Sequence, residues 1–136
     1  MTLTRTVRLF LFDRPFGVDF AGESLPIGGR IAQRSPRECV NSPVWQGEDE
    51  EVAYEVNFFN WGVPLANTEE VLLLDKKEND ITTAHIVGSP FLMETYVMIG
   101  GRVIGLQRKQ QYKMLFIAEF DDGNKYSAYC RIYGER

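Results

Sequence analysis

Two stretches near the end of the chain alternate apolar and polar residues with a period of two on either side of a tight turn, and few folds accommodate that. In residues 111–120, Tyr112, Met114, Phe116, Ala118 and Phe120 alternate with Lys113, Leu115, Ile117 and Glu119. In residues 125–133, Tyr126, Ala128, Cys130 and Ile132 alternate with Ser127, Tyr129, Arg131 and Tyr133. Between them lies Asp121-Asp122-Gly123-Asn124, whose residues tolerate positive φ. Successive strand side chains point to opposite faces, so this is a hairpin with one apolar face and one polar-aromatic face open to solvent or a partner.

The same reading extends upstream. Residues 5–13 alternate around Val7, Leu9 and Leu11, and residues 52–59 around Val52, Tyr54, Val56 and Phe58. Val71–Leu74 is a short apolar run fit for a buried strand; Ile81–Val87 and Phe91–Ile99 are further strands, bounded by Gly88-Ser89-Pro90 and Gly100-Gly101. No stretch carries a sustained apolar i, i+3, i+4, i+7 stripe, so little or no helix is expected. No fixed-period repeat is present. An aromatic content of 12% fits pleated, half-buried surfaces.

Residues 14–50 differ. Pro15, Pro26, Pro36 and Pro43, with five glycines, interrupt any period, and only residues 30–34 offer a short strand. The segment still holds Phe16, Phe20, Ile27, Ile31, Val44 and Trp45, so it reads as an extended arm laid on a surface, its own or a neighbour's. The expected organisation is an N-terminal strand and arm over residues 1–50 and a β-domain over 51–136. With 136 residues, 44% hydrophobic and 25% charged, the chain can bury a core without staples.

Six to eight short strands with turn signals every 8–12 residues point to an all-β, antiparallel sandwich or barrel. Leu106 and Tyr112 stand just before the long hairpin in the spacing of a tyrosine corner, where a Tyr near the start of the penultimate strand bonds back to the preceding chain. Three stretches, Tyr54-Glu55-Val56-Asn57-Phe58-Phe59-Asn60-Trp61, Asn79-Asp80-Ile81-Thr82-Thr83-Ala84, and Gly105-Leu106 through Tyr112 into the last hairpin, resemble the small Ig-like or fibronectin-like sandwiches of phage and prophage virion proteins. The resemblance spans residues 51–136. It implies a structural role by oligomeric packing and no catalytic residues.

Charge and chemistry narrow the function. The net charge of −4 disfavours a nucleic-acid binder, which needs a basic surface. Residues 1–47 hold six Arg and no Lys against four acids, net +2, and the remainder is −6. Arg5, Arg8, Arg30, Arg34 and Arg37 are therefore candidate contacts with another copy's acidic region, and Arg30, Arg34 and Arg37 together with Tyr129 and Tyr133 of the polar-aromatic face are the candidate interface. Cys39 and Cys130 lack metal-ligand spacing and read as two buried thiols, with one disulfide as the alternative. His85 near Asp75, Glu78 and Asp80 is a weak acid–base candidate. Ser89 and Ser127 lack a nucleophile elbow. Asp75, Asp80, Asp121 and Asp122 do not match a calcium loop, and Gly28-Gly29 and Gly100-Gly101 are not phosphate loops. No cofactor or metal is expected. No signal peptide is legible, and no apolar run approaches the roughly 20 residues of a membrane span, so a cytoplasmic chain, or one assembled into a virion-like particle, is expected. The reading is a non-enzymatic assembly module with protein partners, a homo-oligomer. The alternative is a small-ligand-binding β-barrel whose Phe58, Phe59, Phe116, Phe120 and Tyr126 line a cavity.

Overall fold

A computed structural model describes residues 3–11 and 37–135. The expectation of a strand at residues 30–34, and the candidate contacts Arg30 and Arg34, lie outside the described residues. In chain order the elements are β1 (Leu3–Leu9), β2 (Arg37–Glu38), β3 (Val44–Gln46), β4 (Glu50–Asn57), β5 (Glu70–Asp75), a single turn of helix α1 (Thr82–His85), β6 (Ile86–Val87), β7 (Phe91–Leu92), β8 (Val97–Val103), β9 (Gln111–Glu119) and β10 (Lys125–Gly134).

The strands form two sheets. The first runs β1-β4-β8-β6, with β7 also on β8; the second runs β2-β10-β9-β5, with β3 also on β10. The protein is all-β, but the sheets are mixed rather than antiparallel: β1 lies parallel to β4, and β2 and β3 lie parallel to β10. Parallel neighbours need long connections, and all three pairings join strands far apart in the chain. β1 is built into one sheet and β2 and β3 into the other.

The hairpin forms around residues 121–124 as its residues require. Phe120 N–H donates to Asn124 O at 2.8 Å, Gly123 sits at φ +87, and β9 and β10 run in register from Lys125 opposite Glu119 to Tyr133 opposite Gln111. The alternating rows of β9 and β10 face inward to meet Leu9, Val52, Tyr54, Val56 and Met98 of the other sheet. Gly100 is required where β8 packs against β9: a Cβ there would stand 2.7 Å from Phe116 and 3.0 Å from Met114.

Two expected strands are altered. Residues 82–85 coil because Asp80 Oδ1 accepts hydrogen bonds from both Thr82 N–H and Thr82 Oγ1, at 3.0 and 2.6 Å, and Thr82 Oγ1 in turn accepts Leu73 N–H at 2.8 Å. These side-chain bonds compete with a ladder. The stretch 91–99 is not one strand but β7 and β8 folded back on each other, with Met93 N–H donating to Val97 O.

One buried polar side chain joins the sheets. Gln46, fully buried at the end of β3, donates through Nε2 to Val103 O of β8 at 2.8 Å and to Glu50 O at 3.2 Å, and its Oε1 accepts the Tyr54 hydroxyl of β4 at 2.8 Å. Burial holds that hydroxyl well above its ordinary pKa, so it stays a donor. Replacing one partner strands the others in a dry interior, at about 1–3 kcal/mol per unsatisfied group. Gln46→Leu is expected to cost about 2–3 kcal/mol and Tyr54→Phe about 1–2 kcal/mol. Because the two share one bond, the double variant should cost less than the sum, which urea unfolding of all four proteins checks.

Candidate interface

The outward row of β10 sets one face of the second sheet. Alternation turns Ser127, Tyr129, Arg131 and Tyr133 away from the core, half-buried, while Tyr126, Ala128, Cys130 and Ile132 are buried. β3 brings Trp45 beside Tyr133, and their rings meet edge to face with centroids 5.0 Å apart. β2 brings Glu38 beside Tyr129. Arg131 ties these together. Its Nε donates to Glu38 Oε2 at 2.6 Å, its Nη1 donates to the Tyr133 hydroxyl at 2.9 Å, and its guanidinium lies 5.8 Å from the Tyr133 ring centre. Ser42 Oγ also donates to Glu38 Oε2, at 2.6 Å, and accepts Arg131 N–H at 2.9 Å.

Next to this cluster the register lines up Leu72 of β5, Leu115 of β9 and Tyr129 of β10 in a row across three strands, all half-buried. Lys113 stands 5.1 Å from the Tyr129 ring centre and pairs with Glu78 at 3.5 Å. The face therefore combines aromatic and aliphatic surface with an arginine already held in one geometry. Partners that bury such a surface lose little side-chain freedom in doing so.

Electrostatics fix the cluster. Desolvation pushes the Glu38 carboxyl up, but the hydrogen bonds from Ser42 and Arg131 outweigh it and hold the group below its ordinary value. Glu38 in turn raises Arg131. Burial, then Glu38, raises the Tyr129 hydroxyl.

Of the residues singled out from sequence, Tyr129 and Tyr133 share this face and are linked through Arg131. Arg37 is exposed on β2, one position before Glu38, so alternation sets it on the other side of that strand. Leu106 is fully buried, and Tyr112 Oη accepts a hydrogen bond from Gln107 N–H at 3.0 Å. Trp45 and Glu38 were missed. Their only local signal was a charged and an aromatic residue within a Pro-broken segment; what matters is their parallel pairing with β10, which no local pattern carries.

The other chemical candidates are spent locally. His85 Nδ1 lies 3.0 Å from Ile104 O. Asp75 accepts the N–H groups of Lys77 and Asn79, and Asp80 those of Thr82, so neither orients the imidazole. Phe58, Phe120 and Tyr126 pack with Trp61 in the core, Phe116 is buried against Gly100 of β8, and Phe59 is exposed; the five do not line a common cavity. Cys39 and Cys130 are free, buried thiols, and desolvation pushes Cys130 up to about 12 and Cys39 higher still. Among the described residues no group of three or more His, Cys, Asp or Glu could hold a metal, and no helix is long and apolar enough to cross a membrane.

Comparison with protein-family models, with curated proteins and with solved structures returns no match.

A depressed carboxyl pKa stabilises the fold above its unfolded value, and that contribution disappears as pH falls through the folded value. Glu38→Gln is therefore expected to cost about 0.5–1 kcal/mol at neutral pH, discounted for partial exposure. The difference from the unaltered protein should vanish once the pH lies well below 4.5, the carboxyl's reference value. Thermal melts from pH 7 to pH 3 check this.

Proposed function

We propose that this protein is a non-enzymatic assembly module: an Ig-like β-sandwich that acts through protein–protein contacts and forms homo-oligomers through the outer face of the second sheet. The observation that carries the reading is the cluster of Trp45, Tyr129, Arg131 and Tyr133 on that face. Tyr, Trp and Arg are the residues enriched where interfaces hold most of their energy, and here they stand partly exposed beside the row Leu72, Leu115 and Tyr129.

Support for the Ig-like part comes from strand order. β1-β4-β8-β6 corresponds to A-B-E-D, and β5-β9-β10 to C-F-G, with β2 and β3 as an added edge on G. The Tyr112 bond to Gln107 stands at the E–F connection, where a tyrosine corner belongs. The departures are the parallel pairing of β1, the position of Trp61 after β4, and two free cysteines, Cys130 in β10 and Cys39 bonded beside it, that do not bridge the sheets. The resemblance to virion sandwiches belongs to the same proposal, with assembly in the cytoplasm or into a particle.

The two tryptophans make the test specific. Trp45 is 52% exposed and Trp61 is 1% exposed. As concentration rises, the light-scattering mass should increase and the Trp45 emission should shift to the blue and resist acrylamide quenching. Trp45→Phe should remove the spectral change. A constant monomer mass with Trp45 fully quenchable at every concentration would end the homo-oligomer reading.

A further inference from the structure

The first sheet ends in an open edge at β1. A strand residue turns its N–H and C=O to the same side, and that side alternates along the strand. Leu11 O accepts Asn60 Nδ2 at 2.9 Å from the β4 side. Arg8 O accepts Asn41 Nδ2 at 2.7 Å, Phe10 N–H donates to Asn41 Oδ1 at 3.2 Å, and Phe10 O accepts Val40 N–H at 2.7 Å, all from the opposite side. Even-numbered residues of β1 therefore direct their backbone away from β4. Thr4 and Thr6 are exposed, and no described residue bonds their N–H and C=O groups; the Arg8 N–H is likewise unspent.

The other edges among the described residues are short or covered. β2, β3 and β6 are two, three and two residues long. β5 is closed from outside, where Leu73 O accepts Ile81 N–H at 2.8 Å and Asp75 N–H donates to Asn79 O at 3.0 Å. β1 has seven residues, no Pro or Gly, and β-branched Thr4, Thr6 and Val7. A regular row of unpaired donors and acceptors on such a strand matches the backbone of another strand.

Charge decides which strand. β1 carries Arg5 and Arg8 and no acid. Arg5 is spent on Glu50 at 2.8 Å, but the Arg8 side chain is 76% exposed and reaches only Glu55, at 3.5 Å. A second β1 laid along this edge would bring two more arginines and no acid. A strand with Asp or Glu opposite Arg8 brings the complement. We propose that the edge of β1 takes an extended, acid-bearing segment of a partner protein as an added strand, through the backbone of Thr4, Thr6 and Arg8 and an ion pair to Arg8. Asn41, already on Arg8 O and Phe10 N–H, sets where the added strand ends. The contact goes beyond the reading of the second sheet and uses none of the side chains on that face.

The probe is a capped synthetic peptide of about ten residues that alternates Glu with Val and Thr. Added to the full isotope-labelled chain, it should shift the amide signals of Thr4, Thr6 and Arg8 and slow their hydrogen exchange. Thr6→Pro deletes an outward donor and no bond to β4, so it should weaken binding about three- to tenfold with the melting midpoint kept. Val7→Pro, whose N–H faces β4, should lower the midpoint instead, which checks the assignment of sides. Arg8→Glu should reverse the preference, toward the same peptide with Lys in place of Glu. A peptide that leaves the three amides unmoved, Thr6→Pro binding as tightly as the unaltered chain, or equal binding of the Glu and Lys peptides would each overturn the inference. Exchange at Thr4 and Thr6 that slows with protein concentration alone would give the edge to a second copy and overturn it too.

Discussion

The crossing at Gln46 is the interaction on which the arrangement of the N-terminal third depends. Within four residues the chain leaves β3 in one sheet and begins β4 in the other. A crossing this short between the two sheets exposes backbone carbonyls to an interior without water, and Gln46 satisfies two of them while receiving the Tyr54 hydroxyl. Arg5 of β1 then closes the same corner from outside, with Nε on Glu50 Oε2 at 2.8 Å and Nη2 on Trp45 O. Glu50 also accepts Gly47 N–H at 2.7 Å. Four strands, β1, β3, β4 and β8, meet at one polar knot whose donors and acceptors are matched.

With that corner closed, the core assembles by alternation. Tyr112 through Phe120 and Tyr126 through Ile132 present one apolar row each, and the rows of β4 and β8 answer them. The same alternation decides what remains outside. On β10 it leaves Tyr129, Arg131 and Tyr133, and on the first sheet it leaves Phe10, Phe91 and Met93 at the surface. Filling the core and furnishing two outer faces are therefore consequences of one period-two pattern, and the proposed role in assembly follows from what that pattern leaves exposed.

That pattern is also why the hairpin was legible in the sequence. β4, β9, β10 and the turn at 121–124 are local signals, readable from alternation and from residues that tolerate positive φ. The parallel edges were not legible, because pairing β2 and β3 with β10 depends on contacts across some ninety residues, as between Glu38 and Arg131. The coil at 82–85 was hidden for a different reason: Ile81, Thr82 and Thr83 suit a strand, but Asp80 and Thr82 bond each other instead. Of the candidate interface, Tyr129 and Tyr133 were visible as an outward row. Trp45 and Glu38 joined them only once β2 and β3 were placed.

Amide NMR spectra across a concentration series test most directly whether the outer face of the second sheet acts while the core is a filled scaffold. Shifts that grow with concentration are expected around Trp45, Tyr129 and Tyr133, with Val56, Met98, Phe116 and Ala128 unmoved. A spectrum unchanged across the series, with the line widths of a single 15.6 kDa chain, would contradict it.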